Sequence, residues 1–135
     1  MTSFPLRIVS PDGVEFEGMA AELIVRPSTG DLGILAGHIN CVAPLGMSRA
    51  TVITEGKRRY AACIGGMFSM ENGQATIVAT TFEWAEDIDL ARTETAIQKA
   101  QALLRRKDLS KRDVSLAEAK LRRALVRKSV ATGNK

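Results

Sequence analysis

Three side chains that could bind a metal ion or act in nucleophilic catalysis are His38, Cys41 and Cys63. The His38-x-x-Cys41 spacing, with Cys63, admits a metal site or a Cys-His nucleophile. However, the set lacks the clustered spacing of a zinc site and an acid to orient the imidazole. Both cysteines stand in apolar stretches, where free cysteine behaves as a small hydrophobic residue. We therefore expect two buried, reduced thiols and no metal site.

Charged residues at helical spacing form a second group, near the C-terminal end. Asp89 and Arg92 are three apart, so on a helix they share a face and can form an ion pair. Arg123 and Arg127 are four apart and also point one way, which suits the binding of phosphate oxygens. The alternative for both sets is an ordinary solvated helix surface.

Motifs of catalysis are otherwise missing from the sequence. It contains no Gly-rich phosphate loop ending in Lys-Ser/Thr, no evident pair of catalytic carboxylates and no nucleophile-base set. We therefore expect a protein that is not itself an enzyme.

Charge divides the chain into two parts. Residues 1–84 carry six Lys and Arg against eight Asp and Glu, a net charge of −2, whereas residues 85–135 carry thirteen against seven, a net charge of +6. Such a basic segment fits an acidic protein surface, a nucleotide phosphate or a nucleic acid. Only 4% of residues are aromatic, and none lies among the basic helices. This composition disfavours a nucleic-acid binder, which would need stacking side chains.

Short strands separated by turn signals fill the first 84 residues, which predicts an antiparallel β-sandwich or barrel. Asn72-Gly73 is the strongest hairpin signal, and Glu55-Gly56-Lys57 is a second. The predicted strands are 6–10, 14–26, 33–35, 41–45, 49–55, 59–64, 67–71 and 74–80.

Residues 85–132 contain no Gly or Pro and are rich in Ala, Leu, Arg, Lys and Glu, which predicts helices. A first helix follows a cap at Asp87 or Asp89, and a second spans about Ser115 to Lys128. The polar segment 107–113 is the hinge between them, and Ser110, Asp113 and Ser115 are candidate caps for the second helix. Their apolar stripes consist of Leu90, Thr93, Ala96, Ile97, Ala100, Leu103 and Leu104 in the first helix, and Val114, Ala117, Leu121, Ala124 and Leu125 in the second. Because these faces are narrow, the helical hairpin should be marginally stable alone and able to undock.

The run from Arg26 to His38, Arg-Pro-Ser-Thr-Gly-Asp-Leu-Gly-Ile-Leu-Ala-Gly-His, resembles a signature of the epsilon subunit family of F-type ATP synthases. Gly65-Gly66-Met67-Phe68, the hairpin 72–79 and the helix entrance 86–92 are similar to later segments of that family, in the same order over nearly the whole chain. The resemblance implies an α+β protein, with an N-terminal antiparallel β-sandwich in residues 1–84 and a regulatory two-helix hairpin in residues 85–135.

The function implied by the resemblance is that of a non-catalytic rotor subunit of the central stalk. It would couple proton translocation through the c-ring to ATP synthesis, and its mobile helices, folded on the sandwich or extended into the catalytic head, would inhibit ATP hydrolysis. The implied partners are the gamma subunit, the c-ring and, in the extended state, the alpha and beta subunits.

Particular residues match family positions with such roles. No cofactor is required, but ATP is a candidate regulatory ligand that would bridge the folded helices. The positions implied for it are Ile88, Asp89, Arg92, Lys99, Arg123 and Arg127. Those implied for the c-ring and gamma interface are Ser10, Thr29, Gly30, Asp31 and His38, and those for the inhibitory contact with the beta subunit are Arg122, Arg123, Arg127 and Lys128. His38 has two further readings, a capping or packing role and a pH-sensitive contact.

The expected location follows from the same reasoning. The sequence has no apolar run of the roughly 18 residues that a membrane span needs, and residues 1–7 lack the features of a secretion signal. We expect a peripheral protein on the cytoplasmic face of a bacterial plasma membrane, with the stromal side of a plastid thylakoid as the alternative. The competing functions are a stand-alone ATP-sensing module and a basic nucleic-acid-binding module.

Overall fold

The computed structural model describes residues 2–27 and 30–133 and contains two compact units, Met1–Trp84 and Ala85–Lys135. The first unit is a seven-stranded sheet with the strand order β2-β1-β7-β6-β5-β3-β4. Its strands are β1 (Phe4–Ser10), β2 (Gly13–Ala20), β3 (Glu22–Val25), β4 (Leu32–Ile34), β5 (Cys41–Thr54), β6 (Lys57–Glu71) and β7 (Gln74–Trp84).

The sheet curls over so that its two edge regions meet. β2 lies at one edge and β3 beside the other, yet only Ala21 separates them along the chain. The N–H of Ala21 donates to the carbonyl of Ile53 at 2.7 Å, and the hydroxyl of Thr54 donates to the carbonyl of Met19 at 2.9 Å. The curled sheet encloses one apolar core, so the predicted β-sandwich is confirmed.

One strand pairing departs from the antiparallel pattern expected from the sequence. β1 and β7 run parallel, with Leu6 opposite Ala75 and Val9 opposite Val78. The other described pairings of neighbouring strands are antiparallel.

Strand boundaries also differ from those predicted. The segments predicted as four separate strands between residues 41 and 71 form two long ones, β5 and β6, whereas the single strand predicted over 14–26 is broken at Ala21. Gly65 and Gly66 have φ angles of 77° and 131°, so the backbone bends there without ending the strand.

Both predicted hairpin turns are present. Glu55 and Gly56 have φ angles of 51° and 75°, and Asn72 and Gly73 have angles of 51° and 82°. Positive φ at both central residues is the conformation of the two-residue turn that best fits the twist of paired strands. The turns therefore fix the pairing of β5 with β6 and of β6 with β7.

The second unit begins with a short 3-10 helix, Ala85–Asp87, and continues with α1 (Leu90–Leu104) and α2 (Lys111–Thr132). Asp89 caps α1, as one of the two predicted candidates. α2 begins one turn earlier than predicted because Ser110 is its cap and accepts from the N–H of Asp113 at 3.1 Å. At its other end, Gly133 adopts the left-handed conformation at a φ of 73°.

The buried stripe of the hairpin is narrower than predicted. Its fully buried side chains are Thr93, Ile97 and Ala100 on α1 and Ala117, Ala124 and Val130 on α2. Ala96, Leu90 and Leu125, which the pattern placed on the apolar stripes, are exposed. Neither α1 nor α2, in the part of the chain that the structure describes, contains an apolar stretch of the length that spans a lipid bilayer.

Candidate functional site

An exposed row of apolar side chains crosses the outer surface of the sandwich. Val14 of β2 pairs with Val9, Val9 with Val78, Val78 with Met67, and Met67 with Pro44 of β5. Directly paired residues point to the same face of a sheet. Val14, Val78 and Met67 are 56%, 54% and 44% exposed. We call these five residues the outer row, and its position on five adjacent strands makes it a continuous apolar surface.

The outer row was missed by our sequence reasoning, although the sequence does carry a signal for it. Where the row crosses its three central strands, β1, β6 and β7, each contains two successive apolar residues: Ile8-Val9, Met67-Phe68 and Ile77-Val78. Because side chains alternate across a sheet, one member of each pair must face outward. Ile8, Phe68 and Ile77 are buried in the core, which leaves the other three on the outside.

The loop between β3 and β4 is closed by an ion pair. The guanidinium of Arg26 donates to both carboxylate oxygens of Asp31, at 2.6 and 3.5 Å. This hydrogen bond holds the pKa of Asp31 below its ordinary value, with a smaller coulombic effect from the same guanidinium. The N–H of Gly30 donates to the carbonyl of Pro27 at 3.1 Å. Thr29, predicted as part of this contact loop, lies outside the described residues.

Ser10 lies at the turn that joins β1 to β2. Its hydroxyl donates to the carboxylate of Glu15 at 3.0 Å and accepts from the N–H of Asp12 at 3.2 Å. These bonds shape the turn, and Ser10 follows Val9 of the outer row directly along the chain.

His38 is half-buried, and its Nδ1 lies 2.9 Å from the carbonyl oxygen of Ile39 and 3.9 Å from the sulfur of Cys41. Cys63 does not join them. Cys41 pairs with Met70 of β6, seven residues along that strand from Cys63, a separation of roughly 20 Å for an extended strand. Cys63 is buried in the core and Cys41 is half-buried, so the expectation of two buried thiols is correct for Cys63 alone. The described residues contain no cluster of three potential metal ligands.

Asp89 acts at the start of α1. Its carboxylate accepts a hydrogen bond from the backbone N–H of Arg92 at 3.0 Å, and its carbonyl accepts from the hydroxyl of Thr93 at 2.8 Å. Ile88, which precedes it, is half-buried. The contact between Asp89 and Arg92 is thus a helix cap, whereas the sequence suggested a pair between their side chains.

The two helices are antiparallel, and an ion pair fixes their register. The ammonium of Lys128 lies 2.7 Å from a carboxylate oxygen of Glu94. Lys99 lies five residues after Glu94 on α1, and Arg123 lies five residues before Lys128 on α2. Lys99 and Arg123 are therefore at the same height in the hairpin.

Four cations share one side of this hairpin. Arg92, Lys99 and Arg123 each immediately precede a buried residue, respectively Thr93, Ala100 and Ala124. Two antiparallel helices are related by a rotation that reverses both the chain direction and the direction in which the buried side chains point. A residue immediately before a buried one therefore lies on the same side of the pair in both helices. Arg127, just over one turn beyond Arg123, lies on that side as well. We call Arg92, Lys99, Arg123 and Arg127 the cation face.

The four residues predicted to contact the beta subunit do not form one surface on α2. At about 100° per residue, Arg122, Arg123, Arg127 and Lys128 extend around most of the helix circumference. Arg122 is exposed, Arg123 and Arg127 belong to the cation face, and Lys128 is paired with Glu94. In the folded hairpin these cations are therefore directed to different sides.

Family models match both parts of the chain. Residues 3–85 match the family described as "ATP synthase, Delta/Epsilon chain, beta-sandwich domain", and residues 86–132 match "ATP synthase, Delta/Epsilon chain, long alpha-helix domain". The two matches follow each other with the boundary where the strands end and the helices begin.

Curated relatives are similar over nearly the full length. The chain is 36% identical over 132 residues to the ATP synthase epsilon chain of Ruminococcus albus, covering 97% of this chain and 98% of the relative. It is 34% identical over 135 residues to the ATP synthase epsilon chain of Caldicellulosiruptor bescii, covering 100% of this chain and 98% of the relative.

Solved structures share the fold at lower identity. A chain in the cryo-EM structure of the Euglena gracilis mitochondrial ATP synthase (OSCP/F1/c-ring) matches with a TM-score of 0.81 at 22% identity, covering 93% of this chain and 79% of that one. A chain in the central stalk and c-ring structure of the Tetrahymena thermophila mitochondrial ATP synthase matches with a TM-score of 0.60 at 8% identity, covering 94% and 95%. With both domains matched in order and curated relatives aligned over nearly their whole length, this chain belongs to the ATP synthase delta/epsilon chain family.

Proposed function

We propose that this chain is the epsilon subunit of an F-type ATP synthase, a non-catalytic protein of the central stalk. In this role it couples proton translocation through the c-ring to ATP synthesis, and its C-terminal helices restrain ATP hydrolysis. It works as a peripheral protein on the cytoplasmic face of a bacterial membrane. The two curated relatives described above, ATP synthase epsilon chains of Ruminococcus albus and Caldicellulosiruptor bescii, support this assignment.

The outer row is the observation that carries the rotor role. A row of apolar side chains on five adjacent strands is a surface that a protein partner can cover, since monomeric proteins rarely expose such continuous apolar patches without a function. We assign this surface to the gamma subunit, together with Ser10, which adjoins it, and His38. The loop closed by Arg26 and Asp31, with Thr29 and Gly30, is assigned to the polar loops of the c-ring.

A charge substitution in the outer row tests this assignment. Val78→Lys places an ammonium at the centre of the row, whereas Gln74→Lys adds the same charge at an exposed position of the same strand, outside the row. We expect Val78→Lys to weaken binding to purified gamma subunit at least about tenfold, because the charge would be buried unpaired. Gln74→Lys should bind as the unchanged chain does. Equal binding by both variants, with thermal unfolding unaltered, would refute the assignment.

The cation face supports a second element of the proposal, regulation by ATP. Arg92, Lys99, Arg123 and Arg127 come from both helices, so a polyphosphate that contacts them binds only the closed hairpin. A ligand that binds one conformation shifts the population toward it. ATP would therefore hold the helices folded, and its loss would release them. Asp89 and Ile88 border this face at the start of α1 and would contact the nucleoside part.

Nuclear magnetic resonance of the full chain tests ATP binding directly. Saturable amide shifts near Lys99 and Arg123 are expected during titration with ATP, and Arg123→Ala should abolish them. Arg112→Ala serves as the matched control, since it removes an exposed arginine from the first turn of the same helix. If millimolar ATP produces no saturable shift, ATP regulation is excluded while the rotor role stands.

A further inference from the structure

The ion pair between Glu94 and Lys128 joins the two helices of the hairpin. The ammonium of Lys128 and a carboxylate oxygen of Glu94 are 2.7 Å apart, and their side chains are 43% and 39% exposed respectively. A partly buried ion pair stabilises the folded state more than a fully exposed one, because water and salt screen it less. It lies on the flank opposite the cation face, since Glu94 follows the buried Thr93 along α1.

The apolar contact between the helices is small. Of the fully buried side chains, Ala100, Ala117 and Ala124 contribute a single methyl group each. Burial stabilises by roughly 25 cal/mol per Å² of apolar surface, so these alanines add little. The closed hairpin therefore depends on modest polar contributions, and loss of one ion pair changes the fraction of open molecules measurably.

We propose that Glu94 and Lys128 form a latch that closes the hairpin and at the same time withholds Lys128 from an external acidic partner. The inference rests on the proposed function, in which the C-terminal helices restrain ATP hydrolysis, and on the net charge of +6 in residues 85–135, which fits an acidic protein surface. One ammonium cannot be held by Glu94 and by a partner carboxylate in two different places. When the hairpin opens, Lys128 leaves the carboxylate of Glu94 and binds a carboxylate of the partner. Glu94 and the partner therefore compete for the same ammonium group.

The two members of the latch consequently have opposite roles after opening. Glu94→Gln opens the hairpin and leaves Lys128 available to the partner. Lys128→Gln also opens the hairpin but removes the cation that the partner needs. The double variant Glu94→Lys, Lys128→Glu restores the pair within the hairpin but offers a carboxylate to an acidic surface. A contact that only stabilises the fold would make the two single variants equivalent in every assay.

Amide hydrogen exchange of the full chain tests the closing role. We expect exchange in α1 and α2 to become about two- to five-fold faster in Glu94→Gln and in Lys128→Gln, as for the loss of one partly exposed ion pair. The double variant should return to the original rate. Glu118→Gln and Lys120→Gln are the matched controls, because they make the same two substitutions, Glu to Gln and Lys to Gln, at exposed positions of α2. Unchanged exchange in Glu94→Gln would overturn the latch.

Inhibition of ATP hydrolysis in the reconstituted complex tests the competition. Glu94→Gln should inhibit more strongly than the unchanged chain, whereas Lys128→Gln and the double variant should inhibit more weakly. If the unchanged chain inhibits but Glu94→Gln inhibits no more strongly despite faster exchange, the competition is refuted. If the unchanged chain itself fails to inhibit, the proposed function fails, and the exchange result still decides whether the latch closes the hairpin.

Discussion

The carboxylate of Asp89 accepts a hydrogen bond from the backbone N–H of Arg92, at 3.0 Å, and this bond makes Asp89 the N-cap of α1. Replacing Asp89 with Ala therefore does two things, since it removes both the cap and a residue proposed to contact ATP.

Asn at position 89 separates the two roles. Asn is as good an N-cap as Asp, whereas Ala costs about 1 kcal/mol of helix stability. We expect Asp89→Ala to lower helix content and accelerate exchange at the start of α1, and Asp89→Asn to preserve both. ATP affinity should fall in both variants if the carboxylate itself contacts the ligand. Equal loss of helix content in the two variants would contradict the capping role.

Substitution of Gly66 should be severely destabilising. A Cβ at this position would lie 2.3 Å from the carbonyl oxygen of Val78, and the φ of 131° is unsuited to residues with a side chain. We expect Gly66→Ala to lower the free energy of unfolding by about 3 kcal/mol or more, measured by chemical denaturation.

Gly46 provides the control for this variant. A Cβ at Gly46 meets no atom within 4 Å, so Gly46→Ala should change stability by less than about 1 kcal/mol. Similar losses in the two alanine variants would show that the bend at Gly66 does not require glycine.

The ion pair of Arg26 with Asp31 predicts a pH dependence. The hydrogen bond from Arg26 lowers the pKa of Asp31 below its ordinary value of 3.8. A carboxylate with a lowered pKa stabilises the folded state above its unfolded pKa, and this stabilisation is lost as the pH falls through the folded-state value. Arg26→Gln should therefore raise the pKa of Asp31, as measured by titration of its carboxyl carbon resonance. Asp108, whose pKa Arg106 lowers, should not respond to this change. If the pKa of Asp31 is the same in the unchanged chain and in Arg26→Gln, the ion pair does not form in solution.

The two cysteines should differ in reactivity. Burial raises the pKa of the Cys63 thiol to about 11, whereas Cys41 is only half-buried. Because the thiolate is the nucleophile, an alkylating reagent near neutral pH should modify Cys41 much faster than Cys63. Cys41→Ser should abolish the fast phase, and Cys63→Ser should leave it intact. Two equally fast phases in the folded protein would contradict the burial of Cys63.

The local signals in the sequence predicted most elements of this fold. Asn72-Gly73 and Asp89 act through neighbouring backbone atoms, so their roles follow from local sequence alone. Gly65 and Gly66 misled the strand prediction, because whether positive φ ends a strand or bends it depends on the partner strands β5 and β7. The parallel pairing of β1 with β7 joins segments far apart in sequence, and no local pattern specifies it.

The candidate surfaces likewise combine features that follow from local sequence with features that depend on distant parts of the chain. The spacing of Arg123 and Arg127 predicted that they share a helix face, and this is confirmed. Which side Lys128 takes could not be read from α2 alone, since it depends on Glu94 of the other helix. The outer row likewise requires the register of five strands before its members can be recognised as neighbours.

The parallel pairing of β1 with β7 also sets the order of events during synthesis on the ribosome. Leu6 cannot pair with Ala75, nor Val9 with Val78, before β7 has been synthesised. One side of β1 therefore remains unpaired until nearly the entire first unit has been translated. Contacts between such distant segments slow folding, because a long loop must close before they form. The helical hairpin closes over a much shorter stretch and can form soon after its last residues emerge. The nascent chain therefore completes its first unit only after β7 has been synthesised, although β1 begins about seventy residues earlier.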